Sequence, residues 1–303
     1  MTVDQAMQAA HLGGWNVRKV TVHASEPSDE GVDVIDCAGN YMVVRTNPFT
    51  GAPEGLGVVG ESWTPIQNEE HALFLQTLVD EGGATLDTAG SLCGGRRVFL
   101  TMALPDGIRV GGVDQVDMNI ACLNSHDGTA AFQTVVTPVR VVCANTERAA
   151  LARNTGSYKV RQTASATGQI AEARRALELT FAYTAAWAAE VERMAAEPLT
   201  TGGFRVIAKT LIRPGTETTS TRQDRADAAL LDHLTGLFSS PLNRDIAGTR
   251  WAGFNAFTDH YDHHARVAAR GENPATVRAR RALLGGADHL KTAAFTAFHP
   301  ATL

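Results

Sequence analysis

The spacing of hydrophobic residues divides the chain into two parts. Up to about residue 140, apolar residues occur in short β-branched runs separated by Gly, Pro, Asn and Asp, a pattern typical of strands joined by tight turns. Residues 68–81 are the exception, because their apolar residues follow a helical period between an acidic first turn and two terminal glycines. Beyond about residue 160 the period is helical, with a proline-free segment at 163–197.

These patterns predict an α+β fold. Residues 1–153 are expected to form a mainly antiparallel, curved sheet of β-hairpins around the buried helix 68–81. Glycine-containing turns predict two of the hairpins, one at residues 39–40 and one at residues 94–95. Residues 154–303 are expected to be helical, with one long helix, and to pack on the first part as a single unit.

The two parts meet at residues 137–153. The first half of this segment is a β-branched run that predicts a buried strand, and the second half predicts a helix with Asn145 or Thr146 as N-cap. A strand leading into a helix start presents backbone N–H groups and the positive end of a dipole, which suits an anion. The segment also carries three arginines, Arg140, Arg148 and Arg153.

Composition narrows the class of protein. The chain has 303 residues, of which 44% are hydrophobic and 19% charged, as in globular proteins. No run of about 18 apolar residues occurs and no secretory signal is recognisable, so we expect a cytoplasmic protein that does not enter a membrane. Its four cysteines are scattered without a CxxC pair, which argues against a zinc ribbon or a disulfide scaffold.

The net charge of −5 is unevenly distributed along the chain. Residues 1–139 hold 6 Lys and Arg against 17 Asp and Glu, residues 140–175 hold 7 against 2, and residues 176–303 hold 14 against 13. We call residues 140–175 the basic block. It is either a phosphate-binding element or a segment that neutralises the acidic first part, within the fold or across a subunit contact.

An aromatic residue lies among the cations of the basic block, as in a groove that tracks a nucleic-acid backbone and stacks its bases. A second basic feature is the Arg96-Arg97 pair at the tip of the predicted hairpin at 94–95. Adjacent strand residues point to opposite faces, so at most one of these two arginines would face a given ligand. The candidate nucleic-acid-binding residues are Arg140, Arg148, Arg153, Tyr158, Lys159, Arg161, Arg96 and Arg97.

Two constellations are candidates for catalysis or metal binding. Cys143 at a helix start could pair with His126 of the loop 124–129 as a nucleophile and base, but the apolar residues before Cys143 favour a buried, inert thiol. His260 and His264 have the i,i+4 spacing of zinc ligands, but no Glu follows His260 and no third ligand is identifiable, which favours a polar helix face. We therefore assign neither a catalytic nor a metal residue.

No nucleotide-binding motif, neither GxxxxGK[ST] nor GxGxxG, occurs in a strand-to-helix context, so no cofactor is expected. Several stretches of the chain nevertheless resemble an uncharacterised family of phage- and plasmid-encoded proteins, known by a domain-of-unknown-function label. The resemblance implies a phage, prophage or plasmid origin and a place in the host cytoplasm, and it brings no settled activity. The stretches are residues 56–84, 88–100, 124–132 (NSHDGTAAF), 137–151, 157–174 and 249–266.

A looser similarity, in outline only, is to the Rad52-like single-strand annealing proteins of phages, which combine a curved sheet, a long helix, rings of subunits and a basic groove. From these observations the leading hypothesis is a non-enzymatic, single-stranded-DNA-binding or annealing protein of phage recombination or replication. One alternative is a structural or host-interaction protein that acts as a homo-oligomer. A further alternative is a hydrolase that uses Cys143 and His126, or a metal held by His260 and His264.

Overall fold

The structure is a computed structural model that describes residues 2–29, 31–140, 145–146, 156–160, 166–214 and 220–300. It confirms the α+β prediction, since strands dominate the first half of the chain and helices the second. The strands are β1 (Arg18–Ser28), β2 (Gly31–Thr46), β3 (Pro53–Gly60), β4 (Thr85–Leu92), β5 (Arg97–Ala103), β6 (Ile108–Val110), β7 (Asp114–Ser125), β8 (Gln133–Arg140), β9 (Asn145–Thr146) and β10 (Ser157–Lys159).

The helices include the predicted long one, and three shorter helical turns accompany them in the described residues. The α-helices are α1 (Val3–Ala9), α2 (Ala72–Gly82), α3 (Ala166–Ala196), α4 (Thr201–Ile212), α5 (Thr221–Phe238), α6 (Arg250–Asp259), α7 (Pro274–Leu283) and α8 (Asp288–Phe298). The short turns are 3-10 helices at Asn68–His71 and Pro241–Ile246 and a π-helical turn at His260–His264.

The chain forms two compact units that interleave in sequence. Strands β7 and β8 and the long helix α3 contribute residues to both. The predicted boundary at residue 153 lies outside the described residues. Unit 1 comprises Met1–Pro105, Ile120–Val135 and Ser157–Glu178, and unit 2 comprises Asp106–Asn119, Val136–Gly156 and Leu179–Leu303.

The described strands form two sheets. One has the order β1-β2-β3, with both pairs antiparallel. The other has the order β10-β8-β7-β5-β4, with β6 paired to β7 and β9 paired to β8. The predicted hairpin at 94–95 is confirmed, because Leu92 of β4 pairs with Arg97 of β5 around it.

The predicted turn at residues 39–40 is wrong. Gly39 and Asn40 lie inside β2, where Asn40 pairs with Gly60 of β3, and the last pair of β1 with β2 is Ser28 with Gly31. Gly39 has a φ of 77°, and it lies where the β1–β2 register breaks. The left-handed conformation of Gly39 therefore belongs to a local irregularity within a continuous strand and not to a turn between two strands.

The predicted helix at 68–81 begins as the 3-10 turn and continues as α2. Its residues Phe74 and Leu78 are buried, and Gly83 ends it in the left-handed conformation with a φ of 63°. At this end of α2, a Cβ on Gly82 would come within 2.6 Å of Leu177 of α3, so glycine permits the close approach of the two helices in unit 1.

The core of unit 2 is aromatic. Trp187 of α3 and Trp251 of α6 are fully buried and meet edge to face, with ring centroids 5.8 Å apart. The indole N–H of Trp251 donates to Asp114 at 2.7 Å, which satisfies its polar atom inside the core. Phe204 of α4 stacks on Phe238 of α5 at 4.5 Å. Phe204 also lies 6.3 Å from Phe257 of α6, so these contacts join α3, α4, α5 and α6.

The predicted N-cap at Asn145 or Thr146 stays a prediction, because the helix that it would begin lies outside the described residues. These two residues form β9, in which Thr146 pairs with Val139 and Asn145 with Arg140 of β8. Strand pairing uses the extended backbone that an N-cap also has, so the residue types alone do not separate the two roles. The helix predicted over residues 146–153 falls mostly on residues outside the described part.

Candidate functional site

The predicted binding residues of the basic block are described only in part. Arg140 ends β8, but its side chain, together with Arg148, Arg153, Arg161 and the candidate nucleophile Cys143, lies outside the described part of the chain. Their roles remain predictions. Tyr158 and Lys159 lie on β10, the strand at one end of the seven-stranded sheet order.

The side chains of Tyr158 and Lys159 point to opposite faces of the sheet. The hydroxyl of Tyr158 donates to Glu172 of α3 at 2.7 Å, so this ring is half-buried against the helix. Lys159 is the next residue of the strand, and its side chain therefore lies on the opposite face of the sheet, exposed. A single groove in contact with this strand would thus meet either the ring or the ammonium group, not both.

Two arginines of α3 belong to the basic block. One of them is paired with a carboxylate, and the other is exposed. Arg174 makes two hydrogen bonds of 2.8 Å to the carboxylate of Glu81 on α2, and this contact lowers the pKa of Glu81. Arg175 is exposed and has no acidic partner among the residues that the structure describes. The basic block therefore neutralises part of the acidic first half and leaves other cations facing solvent.

The two arginines at the tip of the β4–β5 hairpin have different environments, as expected for adjacent residues that point to opposite faces. Arg96 is exposed, whereas Arg97 is half-buried and donates to Asp127 at 2.5 Å and to the hydroxyls of Ser125 and Thr129. Burial alone would raise the pKa of Asp127, but hydrogen bonds from Ser125, Thr129 and Arg97 lower it well below its usual range. Arg97 is thus paired with a carboxylate that stays ionised, which leaves Arg96 as the exposed cation of this tip.

The loop that holds Asp127 also holds His126, which is 1% exposed. The side-chain amide of Asn68 donates to the carbonyl of Leu12 at 2.7 Å, so its oxygen faces Nε2 of His126 at 2.8 Å, and that nitrogen is the donor. Burial, followed by the charge of Arg45, lowers the pKa of His126 to about 4. His126 is therefore a neutral, buried residue that holds the loop 124–129 on the start of the helix at 68–82.

A second buried histidine lies beside this contact. His71 stacks on Phe132 with ring centroids 3.7 Å apart, and burial followed by the proximity of His126 lowers its pKa to about 4. It borders a cavity of about 20 Å³ together with Asn124. Ser125 donates to Asp127 and not to either histidine, so these residues form no serine–histidine relay.

The arrangement in unit 1 is therefore a clamp of polar side chains between the helix at 68–82, the β4–β5 hairpin and the loop 124–129. Sequence reasoning singled out His126 and Arg97 by residue type but missed Asn68 as the partner of His126. No local signal identifies that pair, because 58 residues separate its members.

In unit 2 the structure adds a third histidine to the candidate pair at 260 and 264. His233 of α5 lies with its ring centroid 5.3 Å from that of His260 and 5.0 Å from that of His264. Burial, followed by His233 and His264, lowers the pKa of His260 to about 4. Across the described part of the chain, however, no three His, Cys, Asp or Glu side chains are placed to hold a metal ion.

A cavity of about 640 Å³ lies between α4 and α5. Arg205 pairs with Asp232 at 2.9 Å and Arg213 pairs with Asp224 at 3.2 Å on its wall, and Lys209 is exposed nearby. Because most of its cations face carboxylates, this cavity shows no marked preference for an anionic ligand.

In the described part, no helix has both the length and the apolar character to cross a membrane. No curated protein and no solved structure matches the chain at a significant level. A family model does match, over residues 55–284, and its description is "Domain of unknown function (DUF932)". This span includes α2, the clamp residues from Asn68 to Thr129, the basic block and the three histidines of unit 2. The chain therefore belongs to the DUF932 family of proteins.

Proposed function

We propose that this protein binds single-stranded nucleic acid without catalysing a reaction on it, in the recombination or replication of phage or plasmid DNA. The observation that carries the proposal is the basic block, seven Lys and Arg against two Asp and Glu. Its members Lys159 and Arg175 are exposed and have no acidic partner among the described residues. Cations of this kind release counterions when they contact phosphates, which favours binding without reading base sequence.

The clamp in unit 1 is consistent with a binding protein. Its histidines are neutral and buried, and its serine is bonded to a carboxylate, so it offers no nucleophile and no base to a substrate. In this function the clamp holds the β4–β5 hairpin, and with it the exposed Arg96, at a defined place on unit 1. The outline shared with Rad52-like annealing proteins adds an analogy of architecture to this proposal.

We expect the chain to bind a labelled 30-nucleotide oligo(dT) with an affinity that falls steeply as salt rises. Replacing Lys159 with Glu should weaken binding at least about fivefold at about 0.1 M salt and reduce the salt slope by about 0.7, the contribution of one phosphate contact on a single strand. Arg153→Glu should act in the same direction. Fluorescence anisotropy across a salt series measures both quantities.

Lys209→Glu on α4 is the matched control, because it reverses an exposed cation outside the basic block. It should leave the affinity within about twofold of the wild-type value. Absence of binding at low salt would refute the proposal, and so would equal losses for Lys159→Glu and Lys209→Glu, since these would show an effect of net charge alone.

A second candidate function is a structural or host-interaction protein that acts as a homo-oligomer. The Arg174–Glu81 pair is compatible with it, because it shows that an acidic residue of the first half neutralises a cation of the basic block, which is then not free to bind a phosphate. Light scattering that showed salt-sensitive oligomers in a chain without nucleic-acid affinity would support this candidate over the first. Thiol reactivity of Cys143 and metal content would test the hydrolase alternative.

A further inference from the structure

Strands β1 and β2 continue beyond the sheet that they share with β3. We call residues His23–Asp36 the arm. Six cross-strand pairs, from His23↔Asp36 to Ser28↔Gly31, join its two strands, whereas β3 pairs with β2 only at Asn40–Thr46. At about 3.4 Å per residue the arm is about 20 Å long. The register break between Thr21 and His23 marks its base.

All described residues of the arm are exposed to solvent. Val34 is 69% exposed, Val32 is 64% exposed and Ile35 is 48% exposed. An isolated two-stranded ribbon is at best marginally stable in water, and both edges of this one are unpaired among the described residues. Such a ribbon, carrying β-branched apolar residues, has the composition of a strand pair that is covered by another molecule.

The two faces of the arm have different chemistry. Residues directly opposite each other share a face, so Val32 and Val34 lie on one face with Pro27, which is opposite Val32. On the other face, which also carries Ile35, Glu26 lies directly opposite Asp33. Two like charges in this position destabilise a strand pair unless a cation lies between or above them.

The charge of the arm selects its partner. Its sequence contains five acidic residues, Glu26, Asp29, Glu30, Asp33 and Asp36, and no Lys or Arg. It therefore repels nucleic acid and attracts a cationic protein surface. The same chain carries cations to match, since residues 140–175 hold seven basic and two acidic residues, of which Lys159 and Arg175 are exposed. The exposure of the arm shows that no described part of its own chain covers it.

From these observations we propose that the arm docks on a cationic surface of a second copy of this chain. Val32 and Val34 pack on apolar groups of that copy, and Glu26 and Asp33 receive its Lys or Arg side chains. Because the arm and its receptor are different surfaces, the contact is head-to-tail and repeats into a ring or a filament. The contact draws on the same basic residues as the proposed nucleic-acid binding, so its test is run without nucleic acid and its outcome does not depend on that function.

Light scattering coupled to size-exclusion chromatography tests the assembly on the full chain without nucleic acid, over a range of protein concentrations and at low and high salt. We expect oligomers that dissociate as salt rises. The double variant Val32→Ser, Val34→Ser should raise the dissociation constant at least tenfold. Val206→Ser on α4 is the matched control, because Val206 is 67% exposed and lies outside the arm, and it should leave assembly unchanged.

A second double variant, Glu26→Gln with Asp33→Asn, separates this contact from pairing of two arms. It should weaken assembly if the acidic face meets cations, and strengthen it if two acidic arms lie together. The proposal is overturned by a monomer at all concentrations, by oligomers that the Val32→Ser, Val34→Ser chain retains, or by stronger assembly of the Glu26→Gln, Asp33→Asn chain. Circular dichroism checks that each variant is folded.

Discussion

Lowering the pH from about 7 to about 5 is expected to destabilise unit 1 by about 4 kcal/mol. The cause is the pair of buried histidines, His71 and His126, whose pKa values are each lowered from 6.5 to about 4 by burial first, and then by His126 and Arg45 respectively. Between these two values the unfolded chain binds more protons than the folded chain, so stability falls as pH falls. Each histidine contributes about 1.4 kcal/mol per pH unit between pH 6.5 and pH 5, or about 2 kcal/mol by pH 5.

Two substitutions measure how much of this loss of stability comes from each histidine. His71→Phe keeps the stack on Phe132 and removes a titrating group whose Nε2 has no hydrogen-bond partner in the described structure, and His126→Gln keeps a donor for Asn68. Each should remove about half of the loss, as measured by urea unfolding at several pH values. His289→Gln, at an exposed position of α8, should preserve the full loss. Equal stability of the wild-type chain at both pH values would contradict the neutral state of both histidines.

Replacing Lys291 with Met is expected to destabilise unit 2 by about 3–5 kcal/mol. The ammonium group of Lys291 donates to Asp262 at 2.6 Å, and the two side chains are only 2% and 5% exposed. Without Lys291 the carboxylate of Asp262 loses its cation inside the protein, which costs far more than the net contribution of the intact pair. Thermal unfolding and urea unfolding of the variant measure the loss.

The double variant Lys291→Met, Asp262→Leu should recover most of the lost stability, because neither charge then remains buried. Arg205→Met is the surface control. It removes one member of the Arg205–Asp232 pair, which is 39% and 70% exposed, and should cost about 1 kcal/mol or less. If the Lys291→Met variant is as stable as the Arg205→Met variant, the ion pair between Lys291 and Asp262 is not formed in solution. Because Asp262 belongs to the π-helical turn, the Lys291→Met variant should also change the NMR signals of His260 and His264.

Local signals predicted some elements of the fold well. The helix at 68–82 has its apolar period, its acidic first turn and its terminal glycines within one short segment, and the hairpin at 94–95 has its turn residues between two strand patterns. At residues 39–40 the local signal was ambiguous, because a Gly-Asn pair with a positive φ serves either a turn or a strand irregularity. The pairing of Asn40 with Gly60 of β3 decides between them.

The candidate sites were less predictable, because their contacts are long-range. His126 stood out by residue type, but its partner Asn68 lies 58 residues away in sequence, and His233 comes from a different helix than His260 and His264. The charge pattern identified the basic block correctly as a cationic segment. It did not separate Arg174, which pairs with Glu81, from Arg175, which is exposed.

The sequence by itself determined the α+β class, the presence of the long helix, the change from acidic to basic composition at about residue 140 and membership of a family of unknown function, which the DUF932 match shows. These properties depend on residues close together along the chain. The tertiary structure alone decided which charges are neutralised, which histidines are buried and neutral, and that β1 and β2 extend into an exposed acidic arm. Each of these depends on the distance between residues far apart in sequence, and a pattern along the chain does not contain that distance.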